Sequence, residues 1–326
     1  MLSICSPSLD NMPDLVIENV LKHADWKSVL ILRQVSRRLR HQVDSTPDAF
    51  LPDNKLTTIH ISAEKDQLEI CFNGCAKIYY VIQDNGLFER YYRRKMVAFE
   101  GVNLMEMAAK DLEKVFRFQK SALKKFDMDL TKEMNNIFHT LPAALEIIFK
   151  LNFLKTATLI SYGCEVMRIL PYCDPVCLEK IHFVSCKVNS DLVEILKTAQ
   201  WKTAKELYLC IDSEVPWQNL THFSKIDLHR RNRISTQELD ALRIALSNSP
   251  NFQYLSSYST RISDFEQLFT LWGPSNRDRR LNRYFWYFRT RDRILRICLT
   301  VNNDDNFTVS IEYKNRAPNG VVIRDN

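Results

Sequence analysis

Thiols, imidazoles and charge clusters are the groups here whose type and spacing could do chemistry. Cys173 and Cys177 lie four residues apart, with Cys164, His182 and Cys186 nearby. Such ligands could hold zinc, but zinc needs four of them converging on one point. The spacing matches no C-x2-C knuckle. Cys186 falls at a position expected to point inward, where a thiol acts as a small hydrophobe. Neither a metal site nor a cofactor is expected. The chain has no G-x-S-x-G, no G-x-x-x-x-G-K-[ST], no H-E-x-x-H and no G-x-G-x-x-G. A nucleophile and its base meet in space and not in sequence, yet no cysteine here has the signature of a transfer nucleophile. No catalytic residue is expected, and the chain is read as a non-enzyme.

A charged cluster gives the other chemical signal. Arg277, Arg279, Arg280, Arg283, Arg289, Arg291, Arg293 and Arg296 surround Tyr284, Phe285, Trp286, Tyr287 and Phe288. Cations interleaved with aromatic rings are what a single-stranded nucleic-acid groove uses. They are also what a strand pair shows when one aromatic face is buried and an arginine edge is solvated, which discourages edge pairing. The second reading is favoured. Arg279, Arg280, Arg283 and Trp286 remain candidates for contact with a bound target, and a nucleic-acid-associated binding protein is the alternative function. A smaller copy of the pattern places Arg90, Arg93, Arg94 and Lys95 around Tyr91 and Tyr92.

Composition bounds the rest. The chain has 326 residues, 45% hydrophobic and 26% charged, enough for about two domains with real cores. Only 6 glycines occur, which disfavours phosphate-cradling loops and glycine-rich linkers. A net charge of +6 permits an acidic partner without demanding one. Nine scattered cysteines, an odd number, fit a reduced cytoplasmic or nuclear compartment better than a disulfide scaffold. Met1–Pro13 has no basic residue and no apolar stretch of leader length. No run of about 18 apolar residues occurs, so no membrane span is expected.

The elements begin with Leu9–Ser45, LDNMPDLVIENVLKHADWKSVLILRQVSRRLRHQVDS. Pro13 opens a helical pattern, as suits a residue without an N–H at a first turn. Leu15, Val16, Val20 and Leu21 recur at helical spacing; Trp26, Val29, Leu30 and Leu32 form a second short helix; Val35, Leu39 and Val43 continue a third. Three helices in about forty residues make too small a core to stand alone. The rest of the chain or a partner protein must cover the apolar face.

This segment resembles an F-box. Leu9, Met12 and Pro13 occupy its opening Leu-x-x-Leu-Pro element, Leu15, Val16, Ile17, Val20 and Leu21 its first helix, and Leu32, Arg33, Val35, Ser36, Arg37 and Arg38 its centre. Met12 replaces the commoner leucine, and Leu39 stands where Trp or Phe is usual. The resemblance implies docking on the Skp adaptor of a cullin-based ubiquitin ligase, with Met12, Pro13, Leu15, Val16, Val20, Leu21 and Val35 as the docking residues. It implies a substrate-recruiting subunit.

Beyond Leu56 the period becomes two. Thr57, Ile59 and Ile61 share one face and Leu68, Ile70 and Phe72 another, predicting a hairpin with a loop over Ala63–Gln67. A third strand is predicted in Lys77–Gly86 and a helix over Asn103–Gln119. Six segments then share the register apolar-x-x-apolar-x-apolar: Leu123/Phe126/Met128, Leu154/Ala157/Leu159, Leu178/Ile181/Phe183, Ala204/Leu207/Leu209, Phe223/Ile226/Leu228 and, loosely, Phe252/Leu255/Ser257. Helical patterns at Leu192–Leu196 and Leu239–Leu246 fall between them, the latter with a capping-box pair, Ser235 and Glu238. Strand plus helix at this period predicts an irregular leucine-rich-repeat-like stack. Leu295, Ile297, Leu299 and Val301 alternate, as do Phe307, Val309, Ile311 and Tyr313, giving a hairpin that could cap the stack.

The fold class is therefore α/β: a small three-helix F-box over 9–46, then an irregular strand–helix domain with flanking hairpins over 54–315. Residues 1–8 and 316–326 are expected to be flexible ends. The order of elements resembles the nematode F-box A family, whose C-terminal region is the FTH domain. That resemblance implies recognition of a protein target by the C-terminal region.

Overall fold

A computed structural model of the chain describes residues 9–64, 66–83, 87–92, 95–130, 145–146, 148–150, 153–162, 169–186, 191–211, 217–230, 233–290, 293–303 and 306–325. Its first helices are α1 (Asp14–His23), α2 (Trp26–Val35) and α3 (Arg37–Ser45). Each starts where local chemistry dictates. Pro13 precedes α1; Asp25 caps α2 by accepting from Ser28 N at 2.9 Å; Ser36 caps α3 by accepting from Leu39 N at 3.1 Å. Ile17, Leu21, Val29, Leu39 and Val43 fill the space between them.

The remaining strands join one continuous sheet. Five lead into it: β1 (Thr58–Glu64), β2 (Gln67–Phe72), β3 (Ala76–Ile82), β4 (Phe88–Tyr92) and β5 (Lys95–Phe99). They pair antiparallel in sequence order. Helix α4 (Leu104–Arg117) follows, then β6 (Lys125–Asp129), β7 (Thr158–Tyr162), β8 (Lys180–Cys186), α5 (Asp191–Lys197), α6 (Ala199–Thr203), β9 (Glu206–Ile211), β10 (Lys225–Arg230), β11 (Arg233–Ile234), α7 (Thr236–Ser247) and β12 (Tyr254–Ile262). Strands β1, β6, β7, β8, β9, β10 and β12 lie side by side, all parallel. Their inward row, Ile59, Phe126, Leu159, Ile181, Leu207, Ile226 and Leu255, is at most 2% exposed.

Last come α8 (Gln267–Trp272), β13 (Asn276–Asp278), β14 (Arg283–Arg289), β15 (Ile294–Asn303), β16 (Asn306–Lys314) and β17 (Ile323–Asp325). The β15–β16 hairpin pairs Leu295 with Tyr313 and Ile297 with Ile311, as its alternation predicts. Strand β16 then adds antiparallel to β12 and closes that end of the parallel stack by hydrogen bonding. The capping box on α7 is present in both directions.

Three sequence expectations change. The second repeat unit is Thr156/Leu159/Ser161, because Leu159 aligns with Phe126 and Ile181. Polar Thr156 and Ser161 occupy inward positions at 0% exposure, which shifted the apolar pattern onto Leu154. The first hairpin has no loop over Ala63–Gln67, since pairing runs on to Glu64 and Gln67. The expected flexible end, 316–326, contains β17, which pairs with β14 through Tyr287–Ile323 to Arg289–Asp325. Residues 1–8 lie outside the described residues.

The helical module and the sheet are joined by more than a linker. Phe118, just past the end of α4, is 3% exposed and packs in the core of α1–α3. Arg117 donates to Asp48 at 2.9 Å and to Thr46 O at 3.2 Å. Lys120 donates to Ala49 O at 2.7 Å, and Asn54 N to Phe118 O at 2.7 Å. The far side of the small core is thus covered by this same chain. Replacing a buried phenylalanine with alanine costs about 3–5 kcal/mol. Phe118→Ala is expected to strip amide exchange protection from α1–α3 while β6–β12 stay protected; protection unchanged in both would contradict the junction.

Candidate adaptor-docking and target-recognition surfaces

The entrance to α1 is stitched down by the centre of the arginine-rich motif. Ser36 Oγ donates to Asp10 Oδ1 at 2.6 Å while its lone pair caps α3. Arg38 donates to the carbonyls of Asp10 and Met12, the latter at 2.7 Å, and to Asp14 Oδ1 at 2.6 Å. Arg33 forms two bonds with Asp44, at 2.7 and 3.0 Å, tying α2 to α3. With the backbone so fixed, large apolar side chains stand in solvent: Leu15 is 77% exposed, Ile31 62%, Val35 63% and Val16 40%. Pro13 is exposed too, and Met12 and Val20 are half-buried. Leu21 is fully buried in the small core, so it supports the helices from within and does not face outward. Ile31 was missed by motif matching; its place one turn before Val35 on α2 was the available signal.

The second surface is the outer face of the parallel strands. Inward and outward side chains alternate, so the row opposite the core reads His60, Asp127, Ile160, His182, Tyr208 and Asp227. A bent line of rings crosses it. Tyr162 to His182 is 6.2 Å between centroids, His182 to Tyr208 3.9 Å, Tyr208 to His229 5.2 Å, and His229 to Tyr258 4.9 Å. At the edge of the face Lys180 and Lys225 both pair with Glu206, at 2.6 and 3.1 Å.

Comparison with known families gives these surfaces a context. The F-box domain model matches residues 9–50 and the FTH domain model residues 135–271. The first range is the three-helix module; the second runs from before β7 to α8. The chain is 28% identical over 299 residues to F-box A protein 224 of Caenorhabditis elegans, covering 86% of this chain and 74% of that protein. This is a nematode F-box/FTH protein. Its parallel sheet extends past the FTH match on one side, through β6 and β1, and its closing hairpin lies past the other.

The tail residues are deployed differently from the sequence reading of this F-box/FTH protein. Trp286 is fully buried, packed edge-on against Trp272, with its indole N–H donating to Gly273 O at 3.0 Å. Tyr287 and Phe288 are buried beside it. Trp286 is therefore core and not a target contact, because β14 is flanked by strands on both edges and covered by α8. Several tail arginines lie over internal rings: Arg277 over Tyr284, Arg293 over Tyr313 and Arg296 over Phe285. Arg283 is half-buried, while Arg279 and Arg280 are exposed in the turn before β14. Arg291, Arg93 and Arg94 lie outside the described residues, and Arg90 pairs with Asp111 of α4 at 2.7 Å.

Among the described residues no group of metal-ligating side chains converges. Cys173 is buried and donates to Ile169 O at 3.7 Å, with burial pushing its pKa up; Cys177 donates to Asp174 at 3.4 Å. His182 sits on the outer sheet face against Tyr208, and Cys164 and the Cys186 side chain lie outside the described residues. Among the described residues no helix is long and apolar enough to cross a membrane.

Two histidines on the outer face are tuned in opposite directions. His60 Nδ1 is 3.1 Å from Asp127 Oδ2, and that hydrogen bond holds the imidazole pKa above its ordinary value. Burial would raise Asp127, but hydrogen bonds from His60 and Lys125 outweigh it and hold the carboxyl low. Burial holds His182 below the ordinary value. A histidine raised in the folded state stabilises fully below its unfolded pKa of about 6.5 and loses that contribution as pH rises through the folded value. Protonating His182 has the reverse effect, costing stability as pH falls. In imidazole NMR titrations His60 is expected to titrate above about 6.5 and His182 below it. His60→Ala should destabilise more at pH about 5.5 than at pH about 8.5; coincident midpoints for the two rings would contradict the pairing.

Proposed function

We propose that this chain is a substrate-recruiting adaptor of a Skp–cullin–F-box ubiquitin ligase. It docks the Skp adaptor through the exposed edge of α1 and α2 and holds a protein target on its FTH region. The observation that carries the reading is the state of the helical module. Its core is already closed from within the chain by Phe118, yet Leu15, Ile31 and Val35 remain more than half exposed. Covering such a side chain contributes about 1.5–3 kcal/mol, so an apolar partner is the natural occupant. Met12, Pro13, Val16 and Val20 complete the proposed docking set, with Pro13 and Val16 exposed and Met12 and Val20 half-buried.

An adaptor of this kind needs no reaction of its own. Holding a target beside the ubiquitin-transfer subunits raises its effective concentration there. The free thiols among the described residues, Cys75 exposed among them, suit the reducing cytoplasm or nucleus.

The test is capture of the Skp adaptor from the same cell by the full chain. Leu15→Asp with Val35→Asp changes only exposed positions, where substitutions shift stability by within about 0.5 kcal/mol. That pair is expected to abolish capture with the melting temperature unchanged. Leu21→Ala, in the core, should instead lower stability by about 2–5 kcal/mol. Equal capture by wild type and the Leu15/Val35 variant would overturn the docking assignment.

A further inference from the structure

On the outer face of the parallel sheet one strand carries a carboxylate with neither hydrogen bond nor ion pair among the described residues. This is Asp227 on β10, which is half-buried. Among the described residues Lys225, two residues away on the same strand, and Lys180 pair with Glu206, and His229 acts on the carboxylate through space without a hydrogen bond. Burial pushes the Asp227 carboxyl above its ordinary value. A desolvated charge without a partner costs free energy in the isolated protein. A bound cation would recover it.

Two rings lie beside this carboxylate. Asp227 lies directly across from Tyr208 in the strand register and two residues before His229 on the same face. Tyr208 and His229 are 5.2 Å apart, and His229 stacks on Tyr258, which is 42% exposed. A carboxylate flanked by aromatic faces is the chemistry that holds a guanidinium or ammonium, by ion pairing and by attraction to the ring quadrupole. The line of rings continues over β9, β8 and β7 to Tyr162. With strands about 4.8 Å apart, four intervals span about 19 Å, which an extended peptide crosses in about six residues at 3.3 Å each.

We propose that this face binds an extended segment of a protein target that carries an arginine or lysine, with the cation on Asp227 between Tyr208 and His229 and the flanking residues along the rings toward Tyr162. The proposal rests on the reading of the FTH region as the target-holding part and names the class of target it takes.

The probe is a set of fluorescein-labelled octapeptide pools, with the centre fixed as Arg, Lys, Ser or Glu and the other positions mixed from Gly, Ser, Leu and Tyr. Anisotropy is read against the full chain. Arg- and Lys-centred pools are expected to bind at least tenfold more tightly than Ser-centred ones. Asp227→Asn should bring them within twofold, and Tyr258→Ala should weaken every pool. If Asp227→Asn misfolds by circular dichroism, Asp227→Ser is read in its place. Equal binding of the Arg and Ser pools, preference for Glu, or an undiminished preference in the Asp227 variant overturns the proposal. The same preparations are assayed for Skp capture, which Asp227→Asn should leave intact. In the wild-type chain, no Arg or Lys preference with capture intact sinks only this inference, whereas absent capture with the preference present sinks only the docking assignment.

Discussion

The placement of Phe118 is the constraint on which the rest of the structure depends. Three helices of about ten residues each bury too little apolar surface to persist alone. The chain resolves this by sending a side chain from the end of α4 into their core, and Arg117, Lys120 and Asn54 fasten the backbone on either side. The inner side of the small core is thereby satisfied within the chain. The outer edge, with Leu15, Ile31 and Val35, stays exposed, as the proposed docking requires. A docking face that the chain had covered itself would be useless to an adaptor, and a core with no internal cover would not hold the face in shape.

The sheet repeats the same division at larger scale. Parallel pairing in a common register places one apolar side chain from each strand in a single inward row, from Ile59 across to Leu255. The same register lines up the outward positions, which is why tyrosines and histidines from five strands meet as one line of rings over two adjacent rows. Both stack ends are finished by antiparallel hairpins. These pair the edge backbone groups that would otherwise invite another chain.

Much of this was legible in the sequence. Residue periodicity located α1–α3, α4, the parallel strands and the closing hairpin, because each has a wet face and a dry one. The F-box motif was legible in full, and the structure adds why its polar centre matters: Ser36 and Arg38 bind the backbone ahead of α1. The failures have physical causes. Leu21 and Trp286 read as surface binders because residue type does not reveal which side of an element is covered; both are core. Strands β4 and β5 escaped notice because they are half-buried or exposed throughout and show no alternation. The second repeat was misphased because Thr156 and Ser161 fill inward positions as buried polar groups. The line of rings was invisible, since its members are separated by about twenty residues or more and meet only through strand register.

The central claim is that the helical module, with its proposed docking face, and the sheet form one rigid piece through the α4 junction. Residual dipolar couplings on the full chain in a weakly aligning medium test it directly. Amides of α1–α3 and of β6–β12 are predicted to fit one common alignment tensor. Two tensors of different magnitude or orientation would show the helical module moving independently of the sheet, and would contradict the account.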